Sequence, residues 1–240
     1  WLWRRFEQGQ AAGAFDAMDE HFSLGLDAEG IGELVRVYRE HRPDIQPRPG
    51  AADLLRRLGQ RCRLGLLSDG YLPAQRLKLD ALGIAPLLDA VVMTEEMGRA
   101  FWKPAPEGYA AVRDLLGADD ERCAYVADNP AKDFVAPNRM GWRTIQLVCP
   151  GQVHSAKPAP EGGEPQVVVG SLEEVEKLVA PSRKPGNADL PIGICRYRTR
   201  RRRPFGPPPQ RQGPPPISDD GASLRLPCLV TRRRLRRRHS

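Results

Sequence analysis

The chain has 240 residues, enough for one domain with a substantial core and an appended segment. Its net charge of +7 is unevenly divided, because residues 182–240 hold sixteen Lys and Arg against three acidic residues, whereas residues 1–181 hold twenty-one against twenty-seven. No apolar run is long enough to cross a bilayer, and WLWRRFEQGQ at the start lacks the features of a secretory signal. The sequence therefore argues against a membrane partner and against a basic globular domain.

Five cysteines are scattered along the chain without C-x-x-C pairs, at Cys62, Cys123, Cys149, Cys195 and Cys228. An odd, unpatterned set predicts neither a disulfide framework nor a zinc site, and a reducing cytoplasm is the expected compartment. Because Cys62 and Cys123 lie in or beside apolar runs, we interpret them as small core residues.

Residues 1–42 show a helical pattern, most clearly in IGELVRVYREH, where apolar side chains recur at helical spacing. The prolines of RPDIQPRPG then indicate a linker. We therefore predict a helical unit over residues 1–46 and a second unit over 47–181.

The second unit alternates short apolar runs with helical patterns, beginning with a helix in PGAADLLRRLGQ. Strands are predicted at 63–68, 89–94, 122–127 and 143–148, and further helices at 72–83, 105–117, 131–141 and 171–179. Ser171 and Glu174 form a candidate capping box before the last helix. This alternation predicts an α/β fold, a Rossmann-like parallel sheet with helices on both faces.

Residues 182–240 differ from the rest of the chain, because they are rich in Arg and Pro and contain few large apolar side chains. Such a composition predicts disorder. Three interpretations stay open: a segment translated out of frame, a disordered extension, or an arm that binds nucleic acid through its arginines. Contact with nucleic acid is expected, if at all, through this tail only.

Two polar stretches lie in loops that connect a predicted strand to the next helix. Ser68, Asp69 and Gly70 come directly after strand 63–68, where a hydroxyl and backbone N–H groups would cradle a phosphate; the alternative is an ordinary turn. Lys103, fixed by Pro104 before a helix, would neutralise a phosphate and a nearby carboxylate; the alternative is a solvated loop lysine.

Two carboxylates follow strand 122–127 in the stretch YVADNPAKDF, at Asp128 and Asp133. Hard oxygen ligands at a strand end suit Mg²⁺. The alternative is a turn at Asn129-Pro130, with Asp133 favoured only by the helix dipole.

Taken together, S-D-G after one strand, K-P before a helix and D-N-P-x-K-D after a later strand resemble the motifs of the haloacid dehalogenase superfamily, in particular its phosphatase-like branch with a helical cap. The resemblance covers roughly residues 1–180. It implies that residues 1–42 form a cap over the substrate. It also implies a Mg²⁺-dependent phosphatase that acts on a small phosphorylated metabolite through an aspartyl phosphate.

The same resemblance assigns roles to single residues. Ser68 would hydrogen-bond the transferred phosphoryl group, helped by the backbone of Asp69 and Gly70, and Lys103 would balance charge between nucleophile and phosphate. The metal would be held by Asp128 directly and by Asp133 through water. Ala127 departs from the family pattern, since a Gly usually precedes the motif aspartate, and its methyl group would crowd the backbone near the metal.

The larger departure is that the family's nucleophile motif, an N-terminal strand ending in D-x-D-x-T, is absent; the string FDAMDEHF has the wrong spacing. The resemblance implies that the nucleophile strand lies mid-sheet, between the strands that carry Ser68 and Asp128. We therefore expect an N-terminally truncated, inactive chain in which strands 63–68 and 122–127 are separated by a gap or distortion. A non-catalytic relative with a basic tail and a dehalogenase that works without Mg²⁺ remain alternative functions.

Overall fold

The computed structural model describes residues 1–179 and 228–233 of the chain. The strands in these ranges are β1 (Cys62–Ser68), β2 (Ala90–Met93), β3 (Cys123–Ala127), β4 (Arg143–Leu147), β5 (Val167–Val169) and β6 (Cys228–Arg233). The helices are α1 (Leu2–Glu7), α2 (Ala14–Phe22), α3 (Ala28–Glu40), α4 (Ala51–Gly59), α5 (Ala74–Leu82), α6 (Glu107–Leu116), α7 (Val135–Arg139) and α8 (Leu172–Val179).

The strands form one sheet in the order β2-β1-β6-β3-β4-β5. Strands β1 to β5 run parallel to one another, and only β6 runs antiparallel to its neighbours. Helices α4, α5 and α8 contribute to the core on one face, and α6 and α7 to the core on the other. Along β3, Val126 belongs to the first core and Tyr125 to the second, as the period of two in a strand requires. The predicted α/β sheet with helices on both faces is confirmed.

Strands β1 and β3 do not pair with each other, as predicted, but the space between them is not a gap. Strand β6 occupies this central slot, defined here as the space between β1 and β3, and pairs with both strands. The register runs from Cys62 opposite Arg233 to Leu67 opposite Cys228 on the β1 side, and from Cys123 opposite Arg232 to Val126 opposite Leu229 on the β3 side.

The prediction that the whole of residues 182–240 is disordered is therefore wrong for residues 228–233. Amino-acid composition predicts the conformation of an isolated segment in water. It does not include the effect of the facing edges of β1 and β3, whose backbone groups would otherwise be unpaired. Unpaired N–H and C=O groups inside a sheet are costly, so an extended segment that pairs with both edges is favoured. The other residues of the predicted tail, with the out-of-frame and nucleic-acid interpretations, lie outside the described residues.

The N-terminal helices fall within the predicted helical segment, and none of their residues is buried. Helix α3 begins after Asp27, whose carboxylate accepts a hydrogen bond from the Gly30 N–H at 2.8 Å. On its exposed surface, Arg36 pairs with Glu33 and, at 3.1 Å, with Glu40. Across the described residues, none of the helices combines the length and apolar character needed to cross a membrane.

Two predicted elements need correction. The helix predicted at 131–141 is shorter, because Asp133 Oδ2 accepts from the Asn129 N–H at 3.1 Å and Asn129 Oδ1 accepts from the Ala131 N–H at 3.2 Å. These side-chain bonds hold residues 129–133 as a loop instead of a first helical turn. The short strand β5 was not predicted, since three residues carry little periodicity.

Other local predictions are confirmed. Ser171 Oγ accepts a hydrogen bond from the Glu174 N–H at 3.2 Å, as the capping box requires. Cys62 and Cys123 are 1% and 2% exposed, so both lie in the core as predicted.

We predict that Val230→Pro destabilises the fold, because proline removes an N–H from the interior of a strand that has a partner on each side. The expected loss is about 3 kcal/mol, or a melting temperature lower by roughly 10 °C, measured by circular dichroism. Val230→Thr keeps both the N–H and the β-branched shape, so it serves as the control. Equal melting of the two variants would contradict the central position of β6.

We also predict that Cys123 reacts slowly with iodoacetamide. Burial, with a contribution from Asp120, raises the pKa of the Cys123 thiol to about 12, so the reactive thiolate is scarce at pH 8. Alkylation should be at least about a hundredfold slower than at the half-buried Cys149, measured by mass spectrometry of the peptides. In urea the difference should vanish; a native Cys123 that reacts as fast as Cys149 would refute the prediction.

Candidate active site

Three polar segments meet at one edge of the sheet, where the parallel strands end. Ser68 closes β1, Asp128 follows β3, and Lys103 lies in the loop before α6. Because β1 and β3 run in the same direction on either side of β6, their carboxyl ends lie at the same edge. Contacts between side chains from these segments show that they form one site.

The turn after β1 is tightly built. Ser68 is 5% exposed, and its Oγ donates a hydrogen bond to Gln75 Oε1 at 3.2 Å, so the hydroxyl is already oriented by α5. Gly70 has a φ of 123°, and a Cβ there would collide with the side chain of Gln75. Only glycine fits this position without strain.

The carboxylate of Asp69 joins three segments of the site. Its Oδ1 accepts a hydrogen bond from Thr94 Oγ1 at 2.8 Å, and its two oxygens accept from the Lys103 N–H at 3.3 and 3.2 Å. Its Oδ2 lies 3.4 Å from Lys132 Nζ, in the loop after β3. A buried carboxylate with several donors is well satisfied, so Asp69 fixes the Lys103 loop relative to both β1 and β3.

Lys103 and Asp133 form a buried ion pair. Lys103 Nζ lies 2.8 Å from Asp133 Oδ1, and the two side chains are 6% and 3% exposed. The hydroxyl of Tyr125 lies 3.5 Å from both Lys103 Nζ and Asp133 Oδ1, while Asp133 Oδ2 accepts from the Asn129 N–H. Both oxygens of Asp133 are therefore engaged, and the ammonium group of Lys103 is held at the strand end.

Asp128 is half-buried at the start of the loop. Its carbonyl accepts a hydrogen bond from Gln146 Nε2 at 3.3 Å, and the same amide donates to the Ser155 carbonyl at 2.8 Å, which ties the segment after β4 to this loop. Within the residues that the structure describes, no group of three or more His, Cys, Asp or Glu side chains is placed to hold a metal. Asp128 and Asp133 still fit Mg²⁺ in chemistry, because this ion commonly takes one or two carboxylates and completes its shell with water and phosphate.

The structure thus brings together Ser68, Asp69, Lys103, Asp128 and Asp133, all of which were singled out from the sequence. It adds four side chains that were not. Thr94 and Tyr125 support the buried carboxylates, Gln75 orients Ser68, and Lys132 places a second ammonium group beside Asp69. Lys132 had a sequence signal, since it stands within D-N-P-x-K-D, whereas Gln75 had none.

The family model for haloacid dehalogenase-like hydrolases matches residues 2–141, which is more than half of the chain. The chain belongs to this family. The magnesium-bound HAD-hydrolase YfnB of Bacillus subtilis matches with a TM-score of 0.54 and 23% identity, covering 74% of this chain and 77% of that one, a likeness of fold.

Two curated relatives of this family member are phosphatases. The phosphoserine phosphatase of Thermus thermophilus is 27% identical over 184 residues, which cover 72% of this chain and 71% of the relative. Pyrimidine 5'-nucleotidase YjjG of Escherichia coli (strain K12) is 29% identical over 134 residues, 55% of this chain and 56% of the relative. The chain thus spans little more than half the length of YjjG.

We predict that Lys103→Met destabilises the protein more than Lys132→Met. The first leaves Asp133 buried without its cation and should cost about 3–5 kcal/mol. The second removes a longer contact, at 3.4 Å, and Asp69 keeps its hydrogen bonds from Thr94 and the Lys103 N–H, so a smaller loss of about 2 kcal/mol is expected. Urea unfolding measures both; equal losses would show that the two pairs are energetically equivalent, contrary to this expectation.

Proposed function

We propose that this chain forms the phosphate- and Mg²⁺-binding part of a phosphomonoester hydrolase that acts on a small phosphorylated metabolite. The observation that carries the proposal is the contact network of Asp69 and Asp133, which holds Lys103 between the ends of β1 and β3. Ser68 lies in the same turn as Asp69, and Asp128 opens the loop that carries Asp133.

In this proposal the Ser68 hydroxyl turns its proton from Gln75 Oε1 to a phosphoryl oxygen, and the backbone N–H groups of Asp69 and Gly70 bind the other oxygens. Lys103, fixed at its backbone by Asp69 and at its ammonium group by Asp133, places a positive charge beside the phosphoryl group without further reorganisation. Residues 1–46 serve as the cap that covers the substrate. Free thiols at Cys123 and Cys149 are compatible with a reducing cytoplasm.

The charges at the site explain why a metal is part of the proposal. With all five groups ionised, the two lysines (Lys103 and Lys132) are outnumbered by the three carboxylates of Asp69, Asp128 and Asp133. A phosphate dianion would not be attracted to this set by itself. Asp128 would hold Mg²⁺ directly, and the engaged carboxylate of Asp133 would act on it through water; the ion would stabilise negative charge on the phosphoryl oxygens.

The proposed reaction is phosphoryl transfer to an aspartate, followed by hydrolysis. The 240 residues contain no D-x-D string, and the central slot, where the family's nucleophile strand is expected, holds β6. We therefore expect this chain to bind phosphate and metal without turnover. The similarity to phosphoserine phosphatase and to a pyrimidine nucleotidase supports phosphate esters over haloacids as ligands of this class of site.

The first test is calorimetric binding of inorganic phosphate to the full chain, with and without Mg²⁺. We expect binding that requires Mg²⁺ and weakens by about tenfold or more in Asp128→Asn, which removes the ligand charge. Asp114→Asn, a change at an exposed acid on α6, is the matched control. Binding that is indifferent to Mg²⁺ and to Asp128 would refute the proposed site.

A second test separates the classes of reaction. We expect no hydrolysis of p-nitrophenyl phosphate and no chloride release from 2-chloropropionate by this chain. Mg²⁺-dependent phosphate release that disappears in Asp128→Ala would show that the 240 residues do contain a nucleophile. Chloride release without metal would favour the dehalogenase alternative.

A further inference from the structure

Four side chains form an arginine–aromatic cluster beside the phosphate turn: Arg39, Tyr71, Arg99 and Trp102. The guanidinium carbon of Arg39 lies 3.8 Å from the centre of the Tyr71 ring, and that of Arg99 lies 4.4 Å from the same centre. The rings of Tyr71 and Trp102 meet edge to face with their centres 5.4 Å apart. Two cations therefore share one aromatic platform.

The position of the cluster is defined by its chain neighbours. Tyr71 directly follows Gly70 of the phosphate turn, and Trp102 directly precedes Lys103. Arg39 comes from the last turn of α3, in the helical N-terminal unit, so the cluster joins this unit to the site edge of the sheet. It thus lies where the part of a substrate beyond its phosphoryl group would be located.

The charges of the two arginines are only partly balanced. Arg99 Nε lies 3.9 Å from Glu95 Oε1, and the other oxygen of that carboxylate accepts from Trp102 Nε1 at 3.0 Å. Arg39 forms no ion pair with any carboxylate of the described residues. A guanidinium that stacks on a ring still presents its in-plane N–H groups, and these match the two oxygens of a carboxylate.

We propose that Arg39 and Arg99, on the platform of Tyr71, bind a carboxylate on the leaving group of the substrate. This inference rests on the proposed function and narrows it to phosphomonoesters that carry a carboxylate. The inner positive charge, with the proposed Mg²⁺, is taken up by the phosphoryl group, so this outer pair supplies the charge that attracts the carboxylate of the substrate. An anion between the arginines also relieves the repulsion between two like charges at one ring.

The test compares two esters that differ at one group, 3-phosphoglycerate and glycerol 3-phosphate, by calorimetry on the full chain in Mg²⁺. The intact protein should bind the carboxylate ester about tenfold more tightly or better, as expected for charge-assisted contacts. In Arg39→Met that preference should fall to about one, and in Arg99→Met it should fall severalfold, while affinity for glycerol 3-phosphate stays unchanged.

Arg36→Met is the matched control, because Arg36 lies one turn earlier on α3 and is paired with Glu33 and Glu40. Arg36→Met should keep the full preference. Comparison with this variant separates the effect of Arg39 from the general loss of one positive charge. Thermal melting checks that each variant is folded.

Three outcomes overturn the inference. The first is equal affinity of the intact protein for both esters, and the second is an undiminished preference in Arg39→Met. The third is an equal loss of affinity for both esters in Arg39→Met together with a lower melting temperature, which would mark a purely structural contact between α3 and Tyr71. The first leaves the proposed phosphate site intact. If neither ester binds the intact protein, the proposed function fails and the carboxylate subsite fails with it.

Discussion

The backbone pairing of β6 with β1 and β3 is the constraint on which the rest of the structure depends. Without it the sheet would consist of two halves, one with β1 and β2 and the other with β3, β4 and β5. The candidate site lies across this junction, since Ser68 and Asp69 belong to the first half and Asp128 and Asp133 to the second. Hydrogen bonds of the main chain set the spacing of the halves, and the polar contacts at the edge can be short only because that spacing is fixed.

The buried charges at the site are better explained by positioning than by stability. A buried ion pair often contributes little net stability, because desolvation of both groups offsets their attraction. Here each carboxylate has additional donors: Asp69 has Thr94 and a backbone N–H, and Asp133 has Tyr125 and a backbone N–H. These bonds make the buried charges tolerable, and they restrict Lys103 to one location at both its backbone and its ammonium group.

Much of the fold was predictable because β1 to β4 are contiguous apolar runs and each is followed by turn residues at the carboxyl end. Ser68, Lys103 and Asp128 could be chosen for the same reason, since parallel strands bring those ends to one edge. Strand β6 could not be predicted, because its pairing depends on partners far away in the chain and not on its own composition. The side-chain contacts of Asp69 and Gln75 could not be predicted either. For Asp69 the sequence suggested only backbone contacts, and Gln75 belongs to no motif.

The distribution of charge divides the candidate site into two parts. Among the described residues near the strand ends, the carboxylates of Asp69, Asp128 and Asp133 outnumber the ammonium groups of Lys103 and Lys132, an excess that suits a cation. One residue further out on each loop, at Tyr71 and Trp102, the aromatic surface carries Arg39 and Arg99 instead. Within the part of the chain that the structure describes, the hydrogen bonds and ion pairs that hold Asp69 and Asp133 do not involve these arginines. Under the proposed function, the leaving group is selected around Tyr71 and the phosphoryl group is held around Asp69 and Asp133. The two parts stay linked, because the Gln75 N–H donates a hydrogen bond to the Tyr71 carbonyl at 3.3 Å while the Gln75 side chain accepts from Ser68 Oγ.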